Sequence, residues 1–141
     1  MRYKRSWKVS ACHFNGERTY KNLFDVLDSR LVSIGDMLEI LLDCHGHDFR
    51  VEVEAIGVPD ERGILVLDED IEKEVMRWNR TNISCLPEYM DKRRRATTEA
   101  MAADLATRLR NKYDKDDIVL VVRVWETDEI CATITSAEVA E

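Results

Sequence analysis

Two stretches of strict alternation constrain this chain more than any other feature. Tyr3, Arg5, Trp7, Val9, Ala11 and His13 share one parity, while Arg2, Lys4, Ser6, Lys8 and Ser10 share the other. Strand side chains alternate faces, so this pattern predicts a strand with one side in a core and the other in water. The second stretch begins at His45-Gly46-His47. Both histidines share a parity with Phe49, Val51, Val53 and Ala55, and Arg50, Glu52 and Glu54 face the other way. Two histidines on the inward face of one strand are a candidate pair of metal ligands. The only other histidine, His13, ends the apolar face of the first strand.

The remaining segments supply the frame around these strands. Tyr20, Leu23, Phe24, Leu27 and Leu31 recur at helical spacing, which marks residues 15–44 as a variable insert with a short helix or other ordered structure. Residues 37–42 either begin the second strand or pack as a loop. Gly57-Val58-Pro59-Asp60-Glu61-Arg62-Gly63 is dense in turn formers, and Ile64 to Leu67 reads as a strand or extended segment. Asp68 or Asp70 is placed to cap a helix with the stripe Ile71, Val75 and Trp78, ending near Asn79 to Asn82. Residues 83–96 read as an irregular connection, and the basic cluster Lys92-Arg93-Arg94-Arg95 within it as a solvated loop rather than a nucleic-acid site. Thr97 or Thr98 caps a second helix with the stripe Met101, Leu105 and Leu109. Ile118 to Glu126 reads as a strand covered on both faces for most of its length, and Asp128-Glu129 as a tight turn into a last strand from Ile130 to Thr135.

Strand, insert, strand, helix, helix, strand, strand argues for an α+β class: an antiparallel four-stranded sheet with two helices on one face. A single domain over residues 1–136 is expected, with 137–141 a loose C-terminal tail. Net charge is −7, which argues against general affinity for nucleic-acid backbones or anionic membranes. No apolar run approaches the roughly 20 residues of a membrane helix. Met1 to Trp7 lacks the apolar core of a signal peptide, so a cytoplasmic location is expected. Cys12, Cys44, Cys85 and Cys131 are widely spaced without a C-x-x-C pair and default to free thiols in that compartment. Glu126 ends a strongly apolar strand, where a carboxylate without donors would be costly, and this invites a functional reading.

Five segments, taken in order, resemble one known family. Ser10-Ala11-Cys12-His13-Phe14 is similar to its first metal motif, and His45-Gly46-His47-Asp48-Phe49 to its second. Asp60-x-x-Gly63-Ile64-Leu65-Val66-Leu67-Asp68 is similar to its turn into the first helix, Ala96-Thr97-Thr98-Glu99 to the start of its second helix, and Val124-Trp125-Glu126-Thr127 to its late acidic motif. The family is that of 6-pyruvoyl-tetrahydropterin synthase and 6-carboxytetrahydropterin synthase, of the tunnelling fold.

The resemblance implies a homo-oligomer, a trimer or two stacked trimers forming a homohexamer, whose sheets join into a barrel with active sites between subunits. It implies that His13, His45 and His47 bind Zn²⁺, a role that suits three neutral imidazoles with a coordination position left open. It implies that Glu126 anchors a pterin ring, and that Thr97, Thr98 and Glu99 complete the pocket. A carboxylate can accept the adjacent N–H groups of a 2-aminopyrimidinone as a bidentate pair, whereas helix capping alone also accounts for Thr97, Thr98 and Glu99. The implied activity is a zinc-dependent lyase acting on dihydroneopterin triphosphate or a related reduced pterin, in biopterin, queuosine or folate chemistry.

The chain departs from this pattern at the proton-transfer residues. The family places a cysteine base four or six residues before the H-G-H, and here those positions hold Leu41 and Glu39. An Asp-His dyad belongs near Ile83-Ser84-Cys85-Leu86, and no histidine is left to supply it. Glu39 is the first candidate for the base, and a thiolate from Cys85 or Cys44 the second, although alternation sends Cys44 to the face opposite His45. The alternative is a divergent member without synthase activity, a zinc- and pterin-binding or interaction protein.

Overall fold

A computed structural model of the chain describes residues 1–14, 44–90, 94–113 and 117–139. The expected insert as far as position 43, and with it Glu39, lies outside the described residues, as does the side chain of Cys44.

The two alternating stretches become neighbouring strands. β1 (Arg2–Phe14) and β2 (Cys44–Gly57) run antiparallel, with Trp7 opposite Val51, Val9 opposite Phe49, Ala11 opposite His47 and His13 opposite His45. β2 pairs in turn with β3 (Ile118–Trp125), and β3 with β4 (Cys131–Thr135), giving the antiparallel spatial order β1-β2-β3-β4. Trp7, Val9, Phe49, Val51, Val53, Ala55, Leu120, Val122 and Val124 line one face and are buried. The opposite face carries a charged ladder in which Arg2 pairs with Glu54, Lys4 with Glu52, and Arg123 with both glutamates. β3 was expected to be covered on both sides, but Val119 is 44% exposed and only the Leu120, Val122 and Val124 side is fully buried. Its apolar outer residues therefore say less about burial than the run of β-branched side chains suggested.

Two longer helices cover the buried face. α1 (Asp68–Met76) packs against β1, and its stripe of Ile71 and Val75, continued by Trp78, is fully buried. Neither Asp68 nor Asp70 caps it. Leu67 occupies the N-cap without a side-chain bond, while the Asp68 carboxylate accepts from the Tyr3 hydroxyl and the Arg5 guanidinium of β1. Tertiary partners thus claim the carboxylate that local geometry would have used as a cap, and the helix is tied to the strand instead. Residues 83–90 are more regular than expected, with a 3-10 turn at Ile83–Cys85 and a one-turn helix α2 (Pro87–Met90). Arg94 of the basic cluster is paired with Asp104 at 2.8 Å. α3 (Thr98–Lys112) lies over β3 and β4 and buries Met101, Leu105 and Leu109. No helix among the described residues is long and apolar enough to cross a membrane.

Residues 79–82 run along the outer edge of β1. Arg80 N donates to Ser10 O at 2.6 Å, Cys12 N donates to Thr81 O at 3.1 Å, and Ser10 N donates to Asn79 Oδ1 at 3.1 Å. Arg80 adopts φ 56°, a left-handed conformation costing a non-glycine residue about 1 kcal/mol, which these edge bonds help to offset. At the other end of the chain, the expected loose tail continues as a turn through Val139. Ser136 is buried and its Oγ accepts from Leu120 N at 3.0 Å, while the Glu138 carboxylate accepts from Thr135 N at 2.7 Å.

Candidate metal centre

Register alone assembles the histidines. His13 and His45 are directly opposite on paired strands, and His47 is two residues further along β2 on the same face. The residue facing His47 is Ala11, whose small side chain leaves the space above it open. The rings consequently meet edge to face, with centroids 4.7 Å apart for His13–His45, 4.8 Å for His45–His47 and 5.1 Å for His13–His47. Phe49 forms the floor, 5.4 Å from His13 and 5.4 Å from His47. Glu126 follows β3 on the parity of Val122 and Val124, so its side chain enters from the third strand. One ligand atom from each of His13, His45, His47 and Glu126 lies within 4.8 Å of all the others.

The donor set fits a metal ion. His13 is 1% exposed, and its Nδ1 lies 2.7 Å from the Ala96 carbonyl. A carbonyl only accepts, so Nδ1 must carry a proton, and in the neutral ring the lone pair is then on Nε2. Burial pushes the His13 pKa below the ordinary histidine value and His45 and His47 add to that, outweighing the opposing Ala96 bond and Glu126. The imidazole is therefore held neutral, in the tautomer that presents Nε2 as a ligand. The Nε2 atoms of His13 and His47 are both buried and, among the described residues, without a hydrogen-bond partner. Buried polar atoms are costly when unsatisfied, and a cation at their meeting point would satisfy both at once. Three imidazoles beside one carboxylate suit Zn²⁺.

The other expected site residues are distributed unevenly. Thr97 is the N-cap of α3, its Oγ1 accepting from Ala100 N at 3.2 Å. Thr98 is buried with its hydroxyl 3.3 Å from the Glu99 carboxylate, and Glu99 is exposed in the first turn. Bonds to its own backbone N–H and to Thr97 and Thr98 hold the Glu99 carboxyl below the ordinary range. None of these three joins the four-residue cluster, but the adjacent Ala96 carbonyl does hold His13, which brings the start of α3 to the edge of the site. Cys85 is not among the clustered residues. It is exposed on the 3-10 turn, and burial of the thiol followed by the proximity of Cys12 pushes its pKa up, opposite to what a thiolate base needs. Ala96 was not foreseen, because a backbone carbonyl has no signature in the sequence.

Thr97→Ala is expected to lower stability by about 1 kcal/mol, read as a shift in the urea midpoint. Thr97→Asn keeps the cap without the hydroxyl, so stability returns.

The profile of the family described as 6-pyruvoyl tetrahydropterin synthase matches residues 18–137, a span that includes His45, His47 and Glu126 and begins after His13. No curated protein matches the chain. Among solved structures, the 6-pyruvoyl tetrahydropterin synthase of Caenorhabditis elegans superposes with a TM-score of 0.63 at 19% identity, covering 95% of this chain and 94% of that one. The Plasmodium vivax 6-pyruvoyl tetrahydropterin synthase superposes with a TM-score of 0.56 at 13% identity, covering 96% and 98%. A catalytic-residue mutant of the P. vivax protein, with glutamate changed to alanine, gives a TM-score of 0.53 at 12% identity, covering 96% and 98%.

Proposed function

The chain belongs to the 6-pyruvoyl tetrahydropterin synthase family, and from that membership we propose that it is a zinc-dependent enzyme acting on dihydroneopterin triphosphate or a related reduced pterin, by lysis or side-chain cleavage. The observation that carries this reading is the convergence of His13, His45 and His47 on one point beside Glu126. These histidines hold the zinc ion. When bound, zinc supplies Lewis-acid stabilisation of charge developing on substrate oxygens. Glu126 accepts the paired N–H groups of the pterin ring, and Thr97, Thr98 and Glu99 line the pocket at the start of α3. Glu39 is the proposed base, taking a proton from a side-chain carbon of the substrate. The glutamate marked as catalytic in the similar P. vivax protein supports a carboxylate in that role. The raised pKa of Cys85 argues for Glu39 over the thiol. The working assembly is a trimer or a dimer of trimers with sheets joined into a barrel, located in the cytoplasm, with no nucleic-acid or membrane partner. Whether the pterin serves biopterin, queuosine or folate chemistry turns on the substrate.

A second reading has one observation in its favour. All three histidines of the chain are in the cluster, so none is available for the family's Asp-His dyad. This favours a divergent member that binds zinc and pterin without turning substrate over.

Zinc analysis of the purified protein, followed by incubation with dihydroneopterin triphosphate and product analysis, separates the two. About one zinc per chain with a new pterin product is the expected result. Zinc and pterin binding without any product would establish the second reading, and protein that takes up no zinc would overturn both.

A further inference from the structure

Glu126 lies closer to the histidines than a pure pterin anchor needs to. Its Oε1 is 2.9 Å from His47 Nε2 and 3.4 Å from His13 Nε2, and it is one of the four ligand atoms within 4.8 Å of one another. Ligand atoms about 2.0–2.1 Å from a tetrahedral zinc would stand about 3.3 Å from each other, a spacing that the 2.9 and 3.4 Å contacts bracket. The contacts are not hydrogen bonds. Among the described residues both buried Nε2 atoms lack a hydrogen-bond partner even though the carboxylate oxygen is within reach. For His13 the reason is explicit. With its proton fixed on Nδ1 by Ala96, Nε2 is an acceptor, and so is the carboxylate oxygen facing it. Two acceptors brought this close in a buried site repel each other unless a cation lies between them.

The backbone of Glu126 is also held firmly. Its N–H donates to Ile130 O at 3.1 Å, and the Thr127 hydroxyl accepts from the amides of Glu129 and Ile130 at 3.3 and 3.2 Å. The side chain is 17% exposed, enough for an incoming ligand to reach it.

We propose that Glu126 is the fourth ligand of the resting metal centre, and that a pterin competes with the metal for it. The inference rests on the zinc reading above and reassigns the anchor within it. Bidentate capture of a pterin engages both carboxylate oxygens and draws on the negative charge that a metal would share, so the two ligands compete for the group. Pterin therefore opens a coordination position as it binds. By linkage, pterin weakens metal affinity by the factor by which metal weakens pterin affinity.

Co²⁺ is the probe, because its visible absorption reports coordination number. Wild-type protein, Glu126→Gln and His45→Ala are loaded with Co²⁺, and metal affinity is measured by competition with a chromophoric chelator. Wild type is expected to show the intense bands of a four-coordinate centre. Glu126→Gln is expected to bind Co²⁺ at least about 10-fold more weakly, with an altered spectrum, since even outer-shell partners contribute 10–100-fold to metal affinity. Titration with unsubstituted pterin should change the wild-type spectrum and leave that of Glu126→Gln unmoved. This titration on wild type stands even if the variant folds poorly. Equal spectra and affinities in wild type and Glu126→Gln, with metal still lost from His45→Ala, would overturn the role of Glu126 and leave the zinc reading intact. A wild-type protein that binds no Co²⁺ or Zn²⁺ would overturn both.

Discussion

His45→Ala is expected to abolish the proposed zinc binding, and any turnover that depends on it, while the metal-free fold survives. The half-exposed His45 is on the surface end of β2, away from the apolar centre of the sheet, so its removal is expected to change apo stability by less than about 1 kcal/mol. Its effect appears when metal is added. A ligand present at about 100 times its Kd stabilises the state that binds it by about 2.7 kcal/mol, a rise in Tm of roughly 5–10 °C for a chain of this size. Wild type should show that rise on titration with zinc and His45→Ala should show none, in thermal melts run side by side. An equal zinc-dependent rise in both proteins would exclude His45 from the ligand set.

Phe49→Ala is the largest stability loss expected from a single change near the site. Phe49 is fully buried on β2 opposite Val9, and truncating a buried phenylalanine costs about 3–5 kcal/mol. For a domain whose total stability is about 5–15 kcal/mol, that is a substantial fraction. The ring also contacts the edges of His13 and His47, so the cavity opens beneath two of the ligands. Two readouts are expected to move: the urea midpoint of the apo protein, and zinc affinity in the fraction that folds. Phe49→Leu, which refills most of the volume, should recover much of the first. If zinc affinity is unchanged in Phe49→Ala, the histidines are held by their strands alone and the aromatic floor has no part in orienting them.

The portions of this chain that were legible in its sequence are those where one face differs chemically from the other. β1 and β2 alternate because their outer sides meet water and a charged ladder, and the same period that identified them placed His13, His45 and His47 on one side. β3 was harder to read, since Val119 and Val121 are as apolar as the buried residues between them and the sequence cannot tell which side is covered. The cap of α1 failed for a different reason. An aspartate preceding a helix is a good cap only when nothing else competes for it, and here Tyr3 and Arg5 do, from 65 and 63 residues away. The 3-10 turn and α2 are too short to show any periodicity. In the site, parity brought Glu126 to the inward face, but its closeness to two histidines depends on how β3 is aligned with β2. No spacing within either segment encodes that.

The strip of chain from Asn79 to Asn82 sets a limit on how far this sheet can grow. The even-numbered residues of β1 turn their amides and carbonyls outward, as the bonds at Ser10 and Cys12 show. The Ser10 amide and carbonyl and the Cys12 amide are taken, and among the described residues the outward groups from Arg2 to Lys8 are not. A neighbouring strand joining there finds a docking length with a fixed end, and it abuts the 79–82 segment instead of sliding toward the histidines. An edge with a stop at one end limits how far a neighbour can slide along it toward the metal-binding end of the sheet.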